Sequence, residues 1–168
     1  MDKSTAPEID RSIYGMPMFA NFTVSDLAAS EALYHALGFI TLATIPGMGG
    51  KVQLVHLRRM RYQDILMTVG AGTGAGPSLT FDAGGEDLGE LAGRANGVPG
   101  AVVTGPIDTL WFTTDVTIED LDGHRIIFTA PRMSDRAAAV EWAAQSISGD
   151  FEAPSTDFES AQPTSGPR

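Results

Sequence analysis

Phe19, Ala20, Asn21, Phe22, Thr23, Val24, Ser25 and Asp26 form an alternating run that ends in an acid, and a helical stretch follows to Gly38. The pattern returns as Ser78, Leu79, Thr80, Phe81 and Asp82, again followed by a helical stretch, this time to Gly97. A strand, an acid-led amphipathic helix and a glycine opening the next strand therefore occur twice, which predicts two similar βαβββ modules. Two curved half-sheets side by side enclose a cleft, so the expected fold class is α+β, with two βαβββ modules forming a curved mixed sheet with a cleft.

Outward from these strands, module one spans 16–70 and module two 77–131. Asp26 is a good N-cap, and the helix behind it places Leu27, Leu33, Tyr34 and Leu37 on one side before Gly38 stops it. Strands are expected at Phe39–Ile45, Val52–Arg58 and Tyr62–Val69, with Pro46 to Gly50 as one turn and Arg59 and Met60 as a tight connection. Gly70 to Pro77 holds a cluster of glycines without the lysine or the strand-to-helix setting of a phosphate loop, and reads as a linker. In module two a helix near Asp87–Asn96 carries Leu88, Leu91, Ala92 and Ala95 at helical spacing. Strands follow at Ala101–Thr104, Trp111–Glu119 and His124–Thr129, with Asp120, Leu121, Asp122 and Gly123 as a hairpin turn.

Flanking segments differ in character. Residues 1–15 are a polar N-terminal extension in which Ile13 and Tyr14 can cover an apolar edge. Residues 132–149 predict a C-terminal helix, capped by Ser134 and striped by Val140, Ala143, Ala144 and Ile147. The acidic, Pro-rich and Ser-rich tail 150–168 has too little to bury and is expected to be disordered.

Composition excludes whole classes. There is no cysteine, hence no disulfide framework and no thiolate chemistry. A formal charge of −10 leaves no basic stripe for nucleic acid, and no stretch approaches a membrane span or a signal peptide, so a cytoplasmic protein is expected. His35, His56 and His124 give no triad or dyad signature.

The run Phe22 to Leu27, the run Leu33, Tyr34, His35, Ala36, Leu37, Gly38 and Phe39, and the run Asp120 to Ile126 together resemble the vicinal oxygen chelate superfamily. That superfamily includes glyoxalase I, extradiol dioxygenases, fosfomycin-resistance enzymes and bleomycin-resistance proteins. The likeness covers about residues 16 to 131 and rests on the order and spacing of the pieces, most like the metal-free bleomycin-resistance type. Measured from Val24–Asp26, the metal-ligand positions that the resemblance implies fall on Phe19, at or beside Met67, at or beside Gly76, and on Ile127. None of these side chains ligates a divalent ion, and their neighbours Ala20, Leu66, Thr68, Ala75, Pro77, Ile126 and Phe128 do not rescue the site. No metal and no cofactor is expected.

Strand alternation places Asn21 and Thr23 with Phe19 on the cleft side, with Gln63, Ile65 and Met67 on the fourth strand and Arg125, Ile127 and Thr129 on the last. Apolar side chains with a few polar pegs are the usual constitution of a small-molecule site. The resemblance adds Trp111, beside Phe112, as a stacking residue, because a Trp near this point lines the ligand groove of bleomycin-resistance proteins. The candidate ligand-binding residues are therefore Phe19, Asn21, His56, Gln63, Met67, Trp111, Phe112, Arg125 and Ile127. Plain alternatives stand beside them: Phe19, Met67 and Ile127 as core, Trp111 as packing against a partner subunit, and His56 as a satisfied surface residue. The expected function is metal-independent sequestration of a bulky, partly aromatic small molecule by a homodimer, with no catalytic residue. The alternatives are a metal-free isomerase or cyclase using Asn21, His56, Gln63 or Arg125, and last a metal-dependent lyase or dioxygenase.

Overall fold

The computed structural model describes residues 9–11, 19–72, 74 and 76–146. Most of the N-terminal extension, Ile147 and the acidic tail lie outside the described residues. Module one contains β1 (Ala20–Val24), α1 (Leu27–Ala36), β2 (Ile40–Pro46), β3 (Val52–Arg58) and β4 (Asp64–Val69). Module two repeats this with β5 (Ser78–Asp82), α2 (Leu88–Asn96), β6 (Val102–Asp108), β7 (Thr113–Glu119) and β8 (Arg125–Pro131). A short 3-10 turn at Met133–Asp135 leads into α3 (Arg136–Ser146). The sheets have the equivalent orders β1-β4-β3-β2 and β5-β8-β7-β6, parallel at β1/β4 and β5/β8 and antiparallel elsewhere.

Both module helices start where an aspartate satisfies an otherwise unpaired backbone N–H. Asp26 accepts from Ala29 N–H and Asp87 from Glu90 N–H. Gly38 then adopts φ +88°, a conformation that ends α1 without strain only because the residue lacks a Cβ. Ser134 does not cap α3; its hydroxyl hydrogen-bonds the neighbouring Asp135 carboxylate.

Two boundaries differ from expectation because a non-glycine residue is left-handed. Tyr62 has φ +67°, and Arg59 N–H donates to Gln63 O while Gln63 N–H donates to Met60 O, so a loop Arg59–Gln63 replaces the tight connection. Phe112 has φ +63°, which delays β7 to Thr113. β6 runs on to Asp108 through a register shift between Thr104 and Ile107.

The two modules share one core. Phe22, Val24, Ile65 and Met67 from the first sheet meet Val116, Ile118, Ile126 and Phe128 from the second around the buried sides of α1 and α2. The helix-facing sides of both sheets are thus turned towards the chain's interior; among the described residues no second layer of helix or strand covers their other sides, although Asp10 of the N-terminal segment meets Arg58 on the first. The cleft expected between half-sheets of one chain is therefore not closed among the described residues.

Polar contacts lock the junction. The Phe22 ring stacks on His124 at 4.2 Å, and Tyr34 Oη donates to Asp120 Oδ2 at 2.8 Å. Burial, then the Asp120 carboxylate, push the Tyr34 phenol well above its ordinary value, so it remains a donor. Ser25 N–H donates to Asp122 Oδ2, tying the end of β1 to the β7–β8 turn.

Candidate functional site

Residues paired across a sheet point to the same side of it, so the register fixes what each open face displays. On the first sheet one row reads Asn21, Leu66, His56 and Ala43, and the next Thr68, Leu54 and Ile45, with Thr23 opposite Thr68. On the second, Thr80, Ile127, Thr117 and Thr104 form a row beside Asp82, Thr129, Asp115 and Ile107. Ile45, Val52, Val102 and Ile107 are exposed large apolar side chains on these faces.

The expected orientation of the fourth strand is corrected. Met67 pairs with Phe22 and Ile65 with Ala20, which places both on the core side, where each is fully buried. Gln63 is also buried, just before β4, with its amide donating to Asp82 O and accepting from Arg59. Asp64, Leu66 and Thr68 take the open side instead. The parallel pairing of β1 with β4 decides this parity, and it is a long-range fact.

The other candidates are spread over both sheets. Phe19 precedes β1 and is 42% exposed, so it closes no core. Asn21 and His56 share the first open face, whereas Arg125 and Ile127 lie on the second, with Arg125 paired to Glu119. One chain therefore does not gather the nine candidates into one cleft.

Trp111 and Phe112 belong to an aromatic cluster that includes Trp142 of α3. Trp142 lies 5.9 Å from Trp111, edge to face, and 6.0 Å from Phe112, between ring centroids. Trp111 is nonetheless 68% exposed. Arg132 holds the loop beneath it: Nη1 donates to Thr109 O and Thr113 O, and Nε to Asp135 Oδ2 at 2.6 Å. The hydrogen bonds from Arg132 and Ser134 keep the Asp135 carboxyl below its ordinary value. Trp142 and Arg132 were missed in the sequence; the signal was the single large aromatic on an otherwise alanine-rich helix.

The first open face also carries an unexpected ionic cluster. His56 Nε2 and Arg58 Nε both approach Asp64 Oδ1 at 2.7 Å. Asp64 and Arg58 are buried, and Arg58 also donates to Asp10 O in the N-terminal segment.

The side chains at the superfamily's ligand positions do not form a metal site. Phe19 and Ile127 carry no donor, Met67 is in the core, and the Gly76 Cα side is filled by His124. Among the described residues no group of three or more His, Cys, Asp or Glu side chains is placed to hold a metal ion. Among them, too, no helix is long and apolar enough to cross a membrane.

No family model matches the sequence, and no curated protein matches it. Solved structures do match. A bleomycin resistance determinant encoded on the transposon Tn5 is 16% identical, with a TM-score of 0.53 over 69% of this chain and 98% of that one. TioX from Micromonospora sp. ML1 is 20% identical, with a TM-score of 0.55 over 68% of this chain and 98% of its own. A hypothetical protein from S. aureus is 24% identical, with a TM-score of 0.51 over 69% and 99%. At these identities the likeness is one of fold.

Proposed function

We propose that this chain, which carries the fold of the vicinal oxygen chelate superfamily, is a metal-independent protein that binds and sequesters a bulky, partly aromatic small molecule. One observation carries the reading: large apolar side chains stand exposed among polar groups on both sheet faces, Ile45 and Val52 on the first and Val102 and Ile107 on the second, and an exposed aromatic cluster borders the second. Such surfaces supply contact area and orientation rather than an activated group. The Tn5 protein of the same fold, described as a bleomycin resistance determinant, supports the reading by analogy.

An open sheet face cannot by itself surround a ligand, and small-molecule sites bury about 70–90% of a drug-sized ligand. A second copy of the chain supplies the missing wall, so the functional unit is a homodimer that covers Ile45, Val52, Val102 and Ile107. In such a dimer, Trp111 and Phe112 stack on the ligand while Asn21, His56 and Ile127 line it. Gln63 and Met67 serve the core instead. Sedimentation at micromolar concentration is expected to give a dimer; a monomer at that concentration contradicts this arrangement.

A second reading has a specific observation behind it. An imidazole backed by a buried carboxylate is also the equipment of a proton-transfer enzyme, so a metal-free isomerase or cyclase using His56 and Asn21 is the alternative. Recovery of the bound compound unchanged after long incubation separates sequestration from turnover.

A further inference from the structure

His56 stands in the middle of its sheet face, with apolar neighbours to one side and the buried Arg58 and Asp64 of the same face to the other. Its cross-strand neighbours are Leu66 and Ala43, and Leu54 lies two residues away on the same side. Its ring is not free to turn. Nε2 is 2.7 Å from Asp64 Oδ1, and that oxygen is fixed in turn by Arg58 Nε at the same distance. The Asp64 side chain is fully buried and the Arg58 side chain nearly so, whereas the His56 side chain is 15% exposed.

A carboxylate that already receives an arginine N–H only accepts hydrogen bonds, so the neutral imidazole places its hydrogen on Nε2. Nδ1 is then a lone pair. The ring makes no other hydrogen bond among the described residues, which leaves that lone pair as an unclaimed acceptor beside Leu66 and Leu54. This is the device by which a carboxylate sets the tautomer of a histidine so that its second nitrogen meets a ligand. The partner of such an acceptor is a donor.

Asn21 stands in the same row, two strands away across Leu66. At ordinary strand spacing the two backbones are about 10 Å apart, roughly the width of fused aromatic rings lying over Leu66. Asn21 has both a donor and an acceptor to offer.

Building on the sequestration reading, we propose that Asp64, Arg58 and His56 make a specificity element for a hydroxyl-bearing planar aromatic, whose phenolic or enolic O–H donates to His56 Nδ1. The aromatic rings lie on Leu66, and Asn21 meets a second polar edge. The ether of the same molecule has an acceptor in place of the donor and faces a lone pair, so it is rejected.

The test uses the full-length protein with 2-naphthol and 2-methoxynaphthalene, in which a methyl group replaces the hydroxyl hydrogen. Titration followed by NMR should show 2-naphthol binding at least about tenfold more tightly, with His56 ring nitrogens shifting and Nε2 carrying the hydrogen in the free protein. His56→Leu should abolish the preference, bringing the two affinities to within about twofold of each other. Ring-nitrogen shifts that place the hydrogen on Nδ1 overturn the proposal without any ligand. Equal binding of both compounds on the open faces overturns the role of His56 and leaves the sequestration reading intact. If neither compound perturbs any open-face resonance at millimolar concentration, both the specificity element and a site for planar aromatics on these faces are refuted.

Discussion

Arg59→Ala is expected to lower the unfolding free energy by about 3–5 kcal/mol, the range for removing one partner from a buried ionic cluster. Arg59 is fully buried where the modules meet. Its guanidinium donates from Nη1 to Asp82 O and Gln63 Oε1, and from Nη2 to Ala83 O and Glu86 Oε2 at 2.6 Å. Its face also lies 4.7 Å from the Phe128 ring centroid. One side chain from the β3–β4 loop thereby satisfies two carbonyls at the end of β5 and the carboxylate of Glu86, which Arg94 also engages. Arg59→Lys should lose most of the same stability, because an ammonium cannot reproduce the planar fork. Urea unfolding checks both variants, and a loss below about 1 kcal/mol in Arg59→Ala would show that the latch is dispensable.

Asp120→Ala should be comparably severe. The Asp120 carboxylate accepts from Tyr34 Oη, from the backbone N–H groups of Asp122 and His124, and lies 2.9 Å from His124 Nδ1. Each donor left buried and unpaired costs about 1–3 kcal/mol, so a total loss above about 3 kcal/mol is expected. His124 would also lose the contact that holds its ring on Phe22. Thermal unfolding of Asp120→Ala beside Tyr34→Phe separates the contributions: Tyr34→Phe removes a single donor and should lose only a part of the total.

Regularity along the chain made much of the fold legible. The repeated alternation and the Asp26 cap identify the modules, and the segments Val52–Arg58 and Ser78–Asp82 match their strands to the residue. These features depend on neighbours a few positions apart. What escaped depends on distant partners. Arg58, Arg59 and Asp64 look like surface charges until the register sets Arg58 opposite Asp64 and the modules close over Arg59. His124 looks like a turn residue until Phe22 arrives from the other module. The same limitation reversed Met67 and Gln63: alternation says that neighbours face opposite sides, but only the pairing of β1 with β4 says which side is the core. His56, by contrast, was singled out in the sequence, although the carboxylate that orients it was not.

Sequestration requires that the protein hold an intact organic molecule against its sheet faces without a metal ion. Native mass spectrometry of the protein purified from its own source tests it most directly. The expected spectrum is of a dimer carrying a small organic molecule and no metal ion, released with unchanged mass on denaturation, and lost or depleted in Trp111→Ala, which removes a stacking contribution of about 1–3 kcal/mol. A stoichiometric metal ion in the spectrum, or conversion of the released compound on incubation with fresh protein, would contradict it.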